Sequence, residues 1–189
     1  MSANKILLEL KQLCFEHKVP IMRDKTLQVL TKLAKNKKIL EIGSGFGYSS
    51  LSIWTNGQPK TITTLEKDKR YFEICKTYLK DTNITVHNAS AFDWIPTKQD
   101  KYDLLILDGP KSNQKTLFQK YLPFLNSDGY IFIDNTNLFS EIHQPTLRQK
   151  KLKQKVNDFK EFLKHLNPEK FQISFFDIED GYCIIKLIK

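Results

Sequence analysis

The chain has 189 residues and a formal net charge of +9, with 40% apolar and 12% aromatic residues. That is enough for one domain with a full core, and too apolar for a disordered chain. No run approaches the ~18 apolar residues of a membrane span, and the charge points to a polyanionic partner, nucleic acid first.

Charge alone leaves that partner open. Only Arg23, Arg70 and Arg148 are arginines, and every other basic residue is a lysine. A Lys-, Ile- and Asn-rich composition also arises without selection for binding. Cys14, Cys75 and Cys183 are odd in number and far apart, which suggests free thiols in a reducing, cytoplasmic setting.

Residues 1–36 read as a helical lead. Ile6, Leu7, Leu10, Leu13 and Cys14 form one apolar stripe, and Leu27, Leu30, Leu33 and Ala34 form another, with Asp24 as the expected N-cap. Pro20 in "VPIM" separates them. The lead has no long apolar stretch followed by a small-residue cleavage site, so no signal peptide is expected.

Residues 37–189 alternate strand and helix. "KKILEIG" (37–43), "TITTLEK" (61–67), "ITVHNA" (84–89), "YDLLILDG" (102–109) and "GYIFIDN" (129–135) read as strands. Helices are expected over "YSSLSIWT", 68–79 and 114–125. Continuous apolar strands alternating with helices predict a parallel sheet covered on both faces. A long helix follows over 144–166, with Leu147, Leu152, Val156, Phe159, Leu163 and Leu166 on its apolar side. Strands "FQISFFDI" (171–178) and "YCIIKLI" (182–188) are then close enough to form a hairpin. The expectation is one α/β domain, a seven-stranded, mostly parallel Rossmann-like sheet closed by an antiparallel hairpin strand.

The first strand runs into "EIGSGFGYSS". Gly43, Gly45 and Gly47 between a strand and a helix allow a tight turn and close approach of a ligand. Glu66 ends the second strand, where an acid can accept hydrogen bonds from ribose hydroxyls. Together they predict a nucleoside-bearing ligand over the carboxyl ends of the first strands.

Strand four ends at Asp108, with Lys111 three residues later, and strand five ends at Asp134 and Asn135. If these strands are neighbours, the three oxygen-bearing side chains converge. Two carboxylates and an amide are hard ligands that suit Mg2+ or a similar ion. Asp-Asn after a strand is also an ordinary turn signal, so either strand end alone carries little.

The sequence E-x-G-x-G-x-G, an acid at the second strand end and a terminal hairpin together resemble the class I S-adenosylmethionine-dependent methyltransferases. The resemblance implies that Glu41, Gly43, Gly45 and Ser49 line the methionine part. It further implies that Glu66 binds the ribose, Ala89 and Ser90 flank the adenine, and Ile21 and Met22 fold over cofactor and substrate. "LDGPK" and "IDN" resemble the Asp-x-x-Lys and Asp-Asn signatures of the metal-dependent, catechol O-methyltransferase-like branch. That implies metal ligation by Asp108, Asp134 and Asn135, with Asp108 and Lys111 at the reacting oxygen. From Val19 onward, "VPIM", "ILEIGSGFGYS", "LDGPK", "IDNTNLF" and "DIEDGYCII" resemble the bacterial tRNA 5-hydroxyuridine methyltransferases. Gly109 and Pro110 depart from the commoner "DAAK" form.

That family implies a tRNA anticodon stem-loop as partner and a homodimer. Arg148, Lys150, Lys151, Lys153, Lys155 and Lys160 on the long helix would then contact phosphate. A catechol-like small-molecule acceptor, and a non-catalytic nucleotide- or RNA-binding protein on the same fold, are the competing readings.

Overall fold

The computed structural model describes residues 3–138 and 144–188. Phe139, the end of the "IDNTNLF" stretch, lies outside the described residues. The lead forms α1 (Ala3–Glu16) and α2 (Asp24–Leu33). The rest runs β1 (Lys38–Ile42), α3 (Tyr48–Gly57), β2 (Thr61–Glu66), α4 (Lys69–Leu79), β3 (Ile84–Asn88), β4 (Tyr102–Leu107), α5 (Gln114–Tyr121), β5 (Leu125–Asp134), α6 (Leu147–Lys164), β6 (Phe171–Phe176) and β7 (Tyr182–Leu187).

The strands make one seven-stranded sheet in the order β3-β2-β1-β4-β5-β7-β6. All pairs from β3 to β5 are parallel, and β7 is antiparallel to both β5 and β6. The expected Rossmann-like architecture is therefore present. Strands alternate their side chains between two cores. Ile39, Leu104, Ile106 and Phe132 pack with α1 to α4, whereas Leu40, Leu105, Leu107 and Ile133 pack with α5 and α6.

Order reverses between β1 and β4, because β2 and β3 build outward on one side and β4 and β5 on the other. Open α/β sheets bind ligands beyond the carboxyl ends at this crevice. The register Ile42 opposite Leu107, and Leu107 opposite Ile133, brings Gly43, Asp108 and Asp134 side by side there.

Several boundaries differ from the sequence reading for local reasons. Pro123 ends α5 early, in a short 3-10 turn over Leu122–Phe124. Strand β5 starts at Leu125, with a register shift against β4 before regular pairing resumes at Tyr130. Helix α6 starts at Leu147, because Thr146 and Gln149 form a capping box. Leu147 is consequently 77% exposed, and the buried face of α6 is Val156, Phe159 and Leu163.

Asp24 does not cap α2. Arg23 occupies the N-cap position without a side-chain bond, and Asp24 instead pairs with Lys11 at 2.7 Å. The cap comes from the far end of the chain. Glu179, in the β6–β7 turn, accepts from the backbone N–H of Lys25 (3.1 Å) and Thr26 (2.9 Å) and from the Thr26 hydroxyl (2.7 Å). Burial works to raise the Glu179 carboxyl pKa, but the Thr26 donors, the Lys25 amide and nearby Arg23 outweigh it and hold it below the usual range. Beside it, Arg23 Nε meets Asp180 Oδ2 at 2.6 Å. Glu179→Ala should cost about 1–2 kcal/mol, the loss of a helix cap, in urea unfolding at pH 7. The sign with pH follows from the lowered pKa: the stabilisation is present above the unfolded value near ~4.3 and lost as pH falls through the folded one. Unchanged stability would mean that the hairpin does not pin the lead.

Candidate active site

The glycine loop is shaped by backbone geometry that only glycine adopts easily. Gly43 has φ +99°, and a Cβ there would lie 2.9 Å from the Asp108 carbonyl oxygen. Gly47 has φ +89° at the start of α3, and its Cβ would meet Cys75 Sγ at 2.8 Å. The loop is tied to β2: the N–H groups of Gly43 and Ser44 donate to the Leu65 carbonyl. Gly45 N–H donates to Glu66 Oε2 (2.9 Å), while Glu66 Oε1 accepts from Asp68 N–H (2.8 Å). Glu66 is thereby fixed at the strand end, with lone pairs left for further donors. Burial raises its carboxyl pKa, opposed by those amides.

Glu41 departs from its expected place. It is fully buried and does not line the cavity described below. Strand alternation turns its side chain under the loop, where it accepts from the hydroxyls of Ser49 (2.5 Å), Ser50 and Thr64 (2.6 Å). Burial raises its pKa against those donors. Its carboxyl therefore braces α3 and β2 from beneath and does not reach a ligand.

A cavity of about 670 Å3 opens over the carboxyl ends of β1, β2, β4 and β5. Gly43, Gly45, Ser49, Glu66, Ile21 and Met22 line it, as do Asp108, Lys111, Asp134 and Asn135. One pocket therefore collects the loop, the acid of β2, the lead and the acidic strand ends. Ala89 and Ser90 lie outside the lining, although Ala89 N–H bonds the carbonyl of Glu66 at 3.0 Å.

At the acidic end, Lys111 Nζ sits 2.7 Å from Asp108 Oδ1. Pro110 leads into a short 3-10 turn, Lys111–Asn113, that carries the lysine. Asp134 is 5% exposed and accepts from the N–H of Asn135 at 2.8 Å. Burial first, then the Asp108 charge, pushes its pKa up to about 7, against Lys111 and the Asn135 amide. Asn135 takes the left-handed conformation (φ 63°), so the Asp-Asn pair does make a turn. That turn is held by the hairpin: Thr136 N–H donates to the Gly181 carbonyl (2.9 Å) and Asn137 N–H to the Asp180 carbonyl (2.8 Å).

This donor set suits a divalent ion. Two carboxylates line one cavity, burial and then the Asp108 charge raise the Asp134 pKa to about 7, and the Asn135 amide lines the same cavity. A hard cation would relieve the repulsion between the two carboxylates. Among the described residues there is no group of three or more His, Cys, Asp or Glu side chains that could hold a metal. The set here is instead two carboxylates and an amide.

On α6, Arg148, Lys150, Lys151 and Lys155 are exposed and Lys153 is half-buried. Lys160 is not part of that surface. It donates to Asn137 Oδ1 at 2.7 Å and lies over the Phe175 ring, bracing the Asp134–Asn137 turn. Sequence reading also missed Asp180, which lines the cavity, and Gln114, which is buried and donates to the Asp134 carbonyl at 3.4 Å. Asp180 sits in "EDG", which carries only a turn signal, and nothing local ties it to β5.

The chain matches the O-methyltransferase family over residues 2–188. Among curated relatives, it is 28% identical over 131 residues to a caffeoyl-CoA O-methyltransferase of Populus kitakamiensis, covering 62% of this chain and 54% of that one. It is 29% identical over 129 residues to a polyamine aminopropyltransferase of Prochlorococcus marinus, covering 59% and 45%. The chain thus spans about half the length of these relatives. Among solved structures, a Staphylococcus aureus protein described as a candidate caffeoyl-CoA O-methyltransferase superposes with TM-score 0.85 at 25% identity, over 96% of this chain and 91% of that one. A Bacillus cereus O-methyltransferase, solved with S-adenosylhomocysteine, superposes with TM-score 0.73 at 21% identity over 98% and 91%. With its sheet order, glycine loop and match over nearly every residue, the chain belongs to the O-methyltransferase family.

Proposed function

We propose that the protein is a metal-dependent O-methyltransferase that moves the methyl group of S-adenosylmethionine to the 5-hydroxyl of 5-hydroxyuridine at the tRNA wobble position. The observation that carries the metal-dependent chemistry is a single cavity lined by Gly43, Gly45, Glu66, Asp108, Lys111, Asp134 and Asn135. The Bacillus structure holds the demethylated cofactor, which supports the same donor here. Glu66 accepts from the ribose hydroxyls, Ile21 and Met22 cover the ligand, and the glycine loop admits the methionine part. Asp108, Asp134 and Asn135 would hold a divalent cation. Such a cation would supply positive charge to stabilise a deprotonated acceptor oxygen.

The 5-hydroxyl and the O4 carbonyl of the base are neighbouring oxygens. Lys111 takes the hydroxyl proton or holds the oxyanion as the new C–O bond forms. The C–S bond breaks with its electron pair left on sulfur, so the sulfonium becomes a neutral thioether. Walls held by β1, β4 and β5 keep the partners in line. The tRNA assignment rests on the resemblance from Val19 onward and on the exposed bases of α6. Incubating the protein with methyl-labelled S-adenosylmethionine and tRNA bearing 5-hydroxyuridine should label that nucleoside as 5-methoxyuridine, and a chelator should stop it. Label on catechols with none on tRNA would sink the tRNA reading.

A further inference from the structure

The lead is a wall shared by two hollows. On its other side lies a groove of about 550 Å3, and Cys14 with Val19–Met22 lines both groove and cavity. The groove's remaining lining includes Lys11, Phe15, Lys18 and Arg23. Phe15 is 63% exposed, so its ring is open to a ligand in the groove. Lys18 is exposed, has φ 55°, and pairs with no acid among the described residues. The two acids of the groove are already engaged: Asp24 holds Lys11, and Glu179 caps α2. Arg23 is oriented by Asp180, itself a cavity residue. The groove therefore offers an aromatic face and outward cations beside the acceptor pocket.

We propose that this groove takes the single-stranded nucleotides flanking the methylated uridine, with one base stacked on Phe15 and its phosphate at Lys18 and Arg23. This rests on the tRNA reading above. Aromatic stacking is tolerant of base identity, and lysine–phosphate contacts set register without reading sequence. Such a rim lets one enzyme hold a splayed loop of varied sequence while the pocket reads the modified base. It also favours an acceptor embedded in RNA over a free phenol, which reaches only the cavity.

The test compares Phe15→Ala and Lys18→Gln with wild type on two acceptors, an anticodon stem-loop RNA containing 5-hydroxyuridine and the free 5-hydroxyuridine nucleoside. Each variant should raise KM for the stem-loop about 10-fold, while kcat/KM for the nucleoside stays unchanged. Lys18→Gln should also flatten the plot of log KM against log salt by ~0.7, one single-strand phosphate contact. Unaltered stem-loop kinetics, or equal losses on both acceptors, would overturn the groove proposal alone. So would a Phe15→Ala protein that changes only from dimer to monomer in light scattering, which assigns the face to a second copy of the chain. A wild type that methylates catechol and ignores the stem-loop removes the tRNA reading and the groove proposal together.

Discussion

Asp134→Asn should lower kcat by about 1,000-fold, a cost of several kcal/mol, because a divalent cation at the acceptor oxygen would lose one of its two carboxylates. Asn fills the same volume, so a collapsed fold would not explain the loss. The same substitution gives a second readout through pH. Burial, then Asp108, lifts the Asp134 pKa to about 7, whereas an unfolded aspartate titrates near ~3.9. For a raised pKa, the stabilising contribution is complete below the unfolded value and disappears as pH rises through the folded one. Metal-free wild type should therefore lose Tm between pH 4 and 7 more steeply than Asp134→Asn does. Saturating Mg2+ should restore wild type above pH 7 and leave the variant unmoved, since only a protein that binds the ion gains from it. A kcat loss under 10-fold, with parallel Tm curves, would remove Asp134 from the metal site.

Lys111→Met should reduce kcat by about 100- to 10,000-fold, the usual contribution of a placed acid–base group, with little change in S-adenosylhomocysteine affinity. Lys111 lines the cavity paired with Asp108, whereas Glu66 is held by the N–H groups of Gly45 and Asp68. Lys111→Arg separates its two roles. A guanidinium keeps the positive charge beside the oxyanion but does not give up its proton near neutral pH, so it cannot act as base. Recovery of less than about 10-fold by Arg identifies proton transfer as the larger part. Full recovery would assign Lys111 to electrostatic stabilisation. Isothermal titration with the cofactor product distinguishes either result from a damaged pocket.

The strand ends were legible in the sequence because parallel strands run out on one side. If the fourth and fifth strands are neighbours, Asp108 and Asp134 must converge, and the observed register brings them together with Gly43 beside them. Period-two alternation was the harder signal. It places Glu41 one residue before the last of β1, pointing into the layer below the loop, yet the acid sits in a motif that draws attention to ligands. Contacts across the whole chain were invisible. Glu179 and Asp180 look like turn formers, and only the placement of β7 between β5 and β6 puts them against α2 and Arg23. The same holds for Lys160. Its helical position suggests a solvated base, whereas the turn after β5 offers it Asn137.

The cap on α2 also has a timing. Thr26 and Glu179 are 153 residues apart in the chain. Translation at about 5–20 residues per second separates their synthesis by roughly 8–30 s. During that interval the nascent lead has no Glu179 to cap its helix and no Asp180 to hold Arg23, while β1, the glycine loop and β2 are being made. The glycine loop and the acid of β2 are therefore in the chain well before the hairpin that pins α2. The Glu179 cap and the Arg23–Asp180 pair can thus form only after the whole parallel half of the sheet has been made, so the lead is among the first segments synthesised and the last to be pinned.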